Sequence, residues 1–174
     1  NSGLLDVQSG ALGVYGGSTQ TAGETRLSGG SISGLLDIQG GSLTGSGGIF
    51  GDLSIGGQTS PGLSPGLISV HGNYSQNSTG SLDIEIGGLA AGSEFDQLKV
   101  EGSVSLAGRL DVNLVHPFTP TAGDDFVIVE NDGPNAVEGQ FDGLSEGAKV
   151  RGGGWVFQIS YAGGADGKDV VLTA

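Results

Sequence analysis

Two stretches of the chain are near copies of each other, and their pattern decides the fold class. Residues 2–17 read SGLLDVQSGALGVYGG, and residues 33–48 read SGLLDIQGGSLTGSGG. Ten of the sixteen positions are identical, so that Val7 in the first copy corresponds to Ile38 in the second. Within each copy the apolar residues stand at alternate positions, which is the periodicity of a β-strand and not of a helix. We therefore expect short strands separated by glycine-rich corners.

The same short apolar segments recur further along the chain at a nearly constant spacing. One column of equivalent positions contains Val7, Ile38, Val70 and Val100, with partners two residues upstream at Leu5, Leu36, Ile68 and Leu98. Two more columns contain Leu12, Leu43, Tyr74 and Val104, and Leu27, Ile55, Ile84 and Val112. Three short strands in each repeat of about 30 residues predict an all-β, three-faced parallel β-solenoid whose inward residues stack from coil to coil.

The composition excludes several classes of function. Glycine supplies 37 of the 174 residues, and 19 acids against 6 bases give a net charge of −13. Such a chain lacks the clustered cations that nucleic acid or an anionic membrane surface requires. It contains no cysteine, which excludes disulfides, zinc–thiolate centres and a cysteine nucleophile. Its apolar runs are too short for a transmembrane helix, so direct membrane insertion is not expected.

Glycine and charge divide the chain into three segments. Residues 1–66 hold 19 glycines and five charged residues and are expected to form glycine-rich coils. Residues 67–115 are expected to form further coils, and in residues 116–174 the repeat becomes irregular. In that last segment WVFQISY, residues 155–161, alternates in strand fashion and is followed by a turn and Asp169–Leu172. This pattern predicts a β-hairpin cap that covers the end of the core.

A family resemblance extends over about residues 58–174. Its words are SPGLSPGLISVHGNYSQ, TGSLDIEIGG, EFDQLKVEGSVSLAGRLDV, FTPTAGDDFVIV, VEGQFDGL and the final WVFQISY…KDVVLTA. Together they resemble the C-terminal part of bacterial autotransporter-type passengers and the autotransporter-associated β-strand segments of large bacterial surface proteins. The resemblance implies a right-handed parallel β-helix, secretion and an extracellular or cell-surface location. In autotransporters the equivalent region helps the passenger to fold.

Candidate catalytic residues are few. A serine–histidine–aspartate triad needs a histidine base, and only His71 and His116 are available. Both stand at strand ends or next to proline, and no G-x-S-x-G word is present. Polysaccharide-cleaving β-helices combine acids with basic partners along a groove, whereas the six bases of this chain are scattered through the sequence. We therefore predict that the chain is not an enzyme.

Aspartates are the weak candidates for a metal site. Asp6 and Asp37 occupy the same position in the two copies of the repeat, and Asp83 and Asp111 are matched in a later pair. Like charges on stacked strands repel each other unless water or a cation screens them. The first interpretation is a hydrated outer face with no cofactor, and the alternative is weak Ca²⁺ bridging by carboxylate oxygens.

These observations predict a structural module of a bacterial secreted or cell-surface protein, acting as a stalk, spacer or building block. Its expected partners are the remainder of a larger surface protein or copies of itself. One alternative is a self-assembling extracellular fibre subunit that stacks end to end, because unlike ends that do not close a ring form open filaments. The other alternative is a carbohydrate-binding or polysaccharide-cleaving β-helix; the sequence points to no particular glycan or host receptor.

Overall fold

A computed structural model describes residues 2–63 and 65–174. The strands β1 to β19 are, in chain order, Leu4–Val7, Ala11–Gly13, Ser18–Gln20, Glu24–Ser33, Leu36–Ile38, Ser42–Phe50, Leu53–Ile55, Gln58–Pro61, Leu67–Val70, Tyr74–Gln76, Ser81–Ile86, Gln97–Val100, Val104–Leu106, Arg109–Leu114, Asp125–Asn131, Glu138–Gly139, Lys149–Gly152, Trp155–Gly163 and Asp169–Thr173. The all-β prediction is confirmed.

The larger sheet closes on itself as a barrel of ten strands. Its order is β6-β8-β11-β14-β17-β18-β19-β15-β12-β9, and a further pairing of β9 with β6 completes the ring. The pairs β17–β18, β18–β19 and β15–β19 are antiparallel, and the other pairs of the ring are parallel. Strands β1, β2 and β4 extend the sheet beyond the ring, because β1 and β2 pair with β4 and β4 pairs with β6. A second, parallel sheet has the order β16-β13-β10-β7-β5-β3.

The prediction of a right-handed, three-faced parallel β-helix is therefore wrong. Two features replace the three separate faces with a closed mixed barrel. Strand β6 pairs with β8 through Ser42–Thr44 and with β9 through residues 47–49, so one long strand joins both flanks. At the other end the antiparallel strands β17, β18 and β19 connect the same flanks. Local alternation predicts strands, but it carries no information about such closure.

The predicted period also fails in the first half of the chain. We call the stretch between a residue and its partner on the next parallel strand a pass. Leu36 pairs with Leu53, whereas Tyr74 pairs with Val104, so the later pass is much longer than the earlier one. The spacing between the two copies of the repeat therefore exceeds one N-terminal pass. As a result, Leu5 and Val7 lie on β1 of the large sheet, and their sequence equivalents Leu36 and Ile38 lie on β5 of the small sheet.

Later in the chain the same columns are correct. Ile68 and Val70 pair with Leu98 and Val100, Tyr74 pairs with Val104, and Ile84 pairs with Val112. The inward orientation is also confirmed for seven of the eight residues in the first column, which are buried, and the eighth, Leu5, is half-buried. Their side chains join one hydrophobic core.

Glycines form ladders at two corners of the fold. At the corner that leads into the small sheet, each backbone lies directly against the glycine of the neighbouring pass. The members are Gly34, Gly51, Gly72, Gly102 and Gly133. At the opposite corner, a Cβ on Gly41 would overlap the carbonyl oxygen of Gly23. These corners require the absence of a side chain, because another backbone occupies the space where a Cβ would lie.

Buried glutamine side chains form hydrogen bonds with the backbone at the second of these corners. The Nε2 of Gln20 donates to the carbonyl oxygens of Gly23, Gly40 and Ser42 at 3.1–3.2 Å. Gln76 repeats the arrangement, with donation to the carbonyl oxygen of Ala107 at 2.7 Å. Each glutamine thus satisfies carbonyl groups at a corner where the strand ladder is interrupted.

The hairpin cap expected at the C-terminus is present. Phe157 and Ile159 on β18 are fully buried and Tyr161 is 7% exposed, whereas Val156 on the other face of the strand is 36% exposed. The alternation predicted for residues 155–161 is therefore correct, with Trp155 half-buried at the start of the strand. The ring of Phe126 on β15 contacts Phe95, Phe118 and Phe157 edge-on, which joins the cap to the core of the preceding passes.

Candidate functional site

The two ends of the molecule use their strand edges differently. At the N-terminal end, β1 and β2 each pair with β4 along one side only, within the residues that the structure describes. We call these two strands the N-terminal edge. At the other end, β18 pairs with β17 and β19, and β19 also pairs with β15. The cap therefore uses both sides of its inner strands, whereas β1 and β2, within the described residues, leave one side each for a further strand; the small sheet ends at the short strands β3 and β16.

Apolar side chains accompany the N-terminal edge. Leu4 is 60% exposed and Leu12 is 37% exposed, and Tyr15, just beyond β2, is fully exposed. A hollow of about 400 Å³ lies along residues 5–12 and contains side chains from both strands. An edge with unpaired backbone groups and neighbouring apolar side chains is a surface on which a further strand can pair.

Asp6 lies on this edge and is held by neighbouring side chains. Its carboxylate accepts hydrogen bonds from the hydroxyl of Ser28 at 2.7 Å and from the Nε2 of Gln8 at 2.9 Å. These two hydrogen bonds, that of Ser28 first, lower the pKa of Asp6 below its usual value. Asp37 has a similar local partner, the Nε2 of Gln39 at 2.7 Å, but it lies on β5 of the small sheet. The predicted stacking of Asp6 on Asp37 is therefore wrong.

The second predicted aspartate pair is confirmed as a pair of neighbours. Asp83 on β11 and Asp111 on β14 are directly opposite each other. Arg109 donates from one nitrogen to both oxygens of Asp111, at 2.9 and 2.7 Å. Gln58 donates to Oδ2 of Asp83, while Oδ1 of Asp83 is buried and accepts no hydrogen bond. Burial, followed by the charge of Asp111 among the raising effects, lifts the pKa of Asp83 above its usual value.

The geometry around these aspartates bears directly on calcium. Among residues 2–63 and 65–174, no group of three or more histidine, cysteine, aspartate or glutamate side chains is arranged to hold a metal ion. Arg109 already supplies a cation to Asp111. The hydrated outer face therefore stays the first interpretation of Asp83 and Asp111, and calcium bridging stays the alternative prediction.

Both histidines are exposed, as expected. The ring of His71 stacks on Phe50 with a centroid separation of 4.2 Å, and its Nδ1 lies 3.0 Å from Oε2 of Glu101. Stacking and pairing hold this ring at a corner of the fold, where it links three successive passes. His116 precedes a cis proline, Pro117.

One buried carboxylate with a shifted pKa was not identified from the sequence. Asp96 is only 1% exposed, and its two oxygens accept hydrogen bonds from the backbone N–H groups of Gly66 at 2.7 Å and Glu85 at 2.8 Å. Burial raises the pKa of Asp96 to about 7, although the two backbone donors act in the opposite direction. The carboxylate connects three segments of the chain, and the only sequence signal was its position before the strand word QLKV.

Two further findings concern membrane-spanning helices and similarity to known proteins. No helix of the described residues has the length and apolar character needed to cross a membrane. The sequence matches no protein-family model and no curated protein.

Proposed function

We propose that the chain is a non-enzymatic structural module of a bacterial secreted or cell-surface protein, and that it joins its neighbour by strand pairing at the N-terminal edge. The observation that carries this proposal is the contrast between the two ends. Strands β1 and β2 offer one side each, whereas the cap strands β18 and β19 are paired on both sides. The bacterial, extracellular setting comes from the resemblance of residues 58–174.

Parallel pairing is the mode that fits this edge. Every strand pair next to it is parallel, including β1–β4, β2–β4 and β4–β6. A further parallel strand would cover the hollow beside Leu5 and Leu12 and would satisfy the outer backbone groups. The partner is therefore a β-strand segment of the larger surface protein or of a second copy.

The geometry favours a terminating building block over an open-ended fibre. An end-to-end filament needs a free edge at both ends of each subunit. At the C-terminal end the last strand of the small sheet is β16, only two residues long, and the large sheet is closed by the cap. A neighbour can therefore extend this molecule at the N-terminal edge, while the cap ends the array.

Two matched variants test the proposal. Leu12→Lys places a charge on β2, and Val156→Lys places the same charge on the cap; the two positions are 37% and 36% exposed. Lysine on an edge strand opposes pairing with another chain. In sedimentation velocity we expect the unmodified chain to self-associate as concentration rises, Leu12→Lys to remain monomeric, and Val156→Lys to behave like the unmodified chain.

Hydrogen exchange provides the second measurement. The outer amides of β1 and β2 should exchange rapidly in the monomer and become protected on association, while those of β18 stay protected throughout. Equal effects of the two lysine variants, or a monomer at all concentrations with β1 and β2 already protected, would contradict the role of the N-terminal edge.

A further inference from the structure

Two of the six basic side chains stand out because they have no acidic partner among residues 2–63 and 65–174. Four bases form ion pairs: Arg26 with Glu24, Lys99 with Glu130 and Asp132, Arg109 with Asp111, and Lys168 with Asp166. Within the described parts of the chain, Lys149 and Arg151 make no ion pair and no side-chain hydrogen bond. In a chain with 19 acids and 6 bases, two unpaired cations side by side are unexpected.

The fold brings a third base to these two. Lys149 and Arg151 are exposed on the same side of β17, and Val150 between them points into the core with 4% exposure. Strands β14 and β17 pair only at Val112 and Gly152, so they separate toward Arg109 and Lys149. Arg109, which is distant in sequence, thus lies near Lys149 and Arg151 on the surface.

A hollow of about 380 Å³ occupies the space between the separated strands. Its lining combines the three cations with apolar side chains and one acid: Arg109, Leu110, Asp142, Leu144, Lys149, Val150 and Arg151. Arg109 is partly neutralised by Asp111, so the unpaired positive charge comes from Lys149 and Arg151. Positions two apart on a strand are separated by roughly 7 Å. The hollow therefore offers two spaced cations beside an apolar wall.

We infer that this hollow binds the carboxylate or sulfate groups of an acidic polysaccharide. Spaced cations match anionic groups on neighbouring sugar units, and Leu110 and Leu144 offer a surface for the apolar face of a sugar ring. An acidic peptide strand fits less well, because β17 is already paired with β14 and β18 and has no free edge for its backbone. The site lies near the cap and is independent of the N-terminal edge.

The experiment compares two double variants with the same change in net charge. Lys149→Gln with Arg151→Gln removes the unpaired cations, and Arg26→Gln with Lys168→Gln removes two paired cations elsewhere. All four positions are on the surface or partly exposed, and thermal melts establish that each variant is folded. Binding of polygalacturonate and of dextran sulfate is measured by calorimetry at low ionic strength, and neutral dextran serves as the uncharged polymer.

We expect the first double variant to bind either anionic polymer at least about tenfold more weakly, and the second to bind like the unmodified chain. Binding should weaken as salt is added, since exposed charges are screened. Amide NMR shifts on titration should cluster at residues 109–111 and 149–151. Equal losses in the two variants, shifts elsewhere, or no binding at low salt would overturn the inference.

Neutral dextran and two further probes separate an anionic glycan from other ligands. Neutral dextran binding as tightly as the charged polymers would remove the role of the cations. Free sulfate binding as tightly, per site, as the polymer would make the hollow a small-anion site and overturn the glycan assignment. Polyglutamate binding as tightly as polygalacturonate would assign the hollow to acidic polypeptides and overturn it in the same way.

Discussion

The N-terminal passes and the later passes build the same kind of parallel sheet in different ways. Up to β8 the passes are short, as from Leu43 to Thr59 and from Val7 to Leu27. Beyond β10 they are longer, as from Leu82 to Leu110 and from Ser105 to Glu138. Strands β4 and β6 of the first region are long, with 10 and 9 residues, whereas the later passes consist of shorter strands joined by longer connections. The difference teaches that pass length is set at the corners and not by the strands.

One corner accounts for most of the growth. In the N-terminal part, β6 runs through this corner without a break. In the following passes the chain leaves the strands there, between β8 and β9, then at residues 87–96 between β11 and β12, and at residues 115–124 between β14 and β15. The longer connections carry side chains that join the core, including Phe95 and Phe118. Backbone contacts between glycines therefore continue from Gly34 to Gly133, and aromatic packing is added to them late in the chain.

The largest expected effect is on the aromatic side of this comparison. Phe126 is fully buried, with ring centroids of Phe95, Phe118 and Phe157 between 5.4 and 6.3 Å away. Phe126→Ala should lower the free energy of unfolding by about 3–5 kcal/mol, because it leaves a cavity among these rings. Urea denaturation measures the change. Phe50→Ala is the control, since Phe50 is 51% exposed. A similar loss of stability in both variants would contradict a special stabilising role for the rings around Phe126.

The glycine side of the comparison is tested at Gly41. Its φ is +74°, and a Cβ would overlap the carbonyl oxygen of Gly23. Gly41→Ala should cost about 1–3 kcal/mol, because one of the two backbones must move. Gly10 is a matched control, since its φ is +68° but a Cβ there would meet no atom within 4 Å. If Gly10→Ala destabilises the protein as much in the same denaturation assay, the cost comes from φ alone and not from the ladder.

A pH effect is expected at Asp96, whose buried carboxylate joins the backbone of two other segments of the chain. Burial raises its folded-state pKa to about 7, above the unfolded value near 3.9. The folded state therefore favours the protonated acid, so this stabilisation is complete below pH 4 and is lost as pH rises toward 7. Urea unfolding at pH 4.5 and 7.5 should show lower stability at the higher pH. Asp96→Asn should flatten this dependence, leaving the part of the same sign that comes from the raised pKa values of Asp83 and Asp169; an unchanged slope would contradict the assignment.

The smallest effect is expected from calcium at Asp83 and Asp111. Because Arg109 already pairs with Asp111, we expect no measurable rise in melting temperature on addition of Ca²⁺ and no fall on addition of chelator. Thermal melts with Ca²⁺, Mg²⁺ and chelator provide the measurement. A Ca²⁺-specific rise that Asp111→Asn abolishes would instead favour the bridging alternative.

Part of the candidate sites was accessible from sequence and part was not. The strands around Leu5 and Leu12 were visible from sequence, as was the neighbouring placement of Asp83 and Asp111, but Leu12 was expected to point inward and is 37% exposed. The meeting of Arg109 with Lys149 and Arg151 was not visible, because it joins two strands that are distant in sequence through the single pairing of Val112 with Gly152. Asp96 was equally hidden, since its hydrogen-bond donors come from residues 30 and 11 positions away.

The sequence by itself determined the local structure of this protein. Alternation of apolar and polar residues specified strands, their buried faces and the closing hairpin, because side chains on a strand point to opposite sides in a period of two. The tertiary structure decided which strands meet. The words at Leu5 and Leu36 are nearly identical, yet they lie on different sheets because the intervening pass is shorter than their spacing. Closure of the barrel likewise depends on β6 pairing with two strands and on the antiparallel cap, contacts between distant segments that no local pattern encodes.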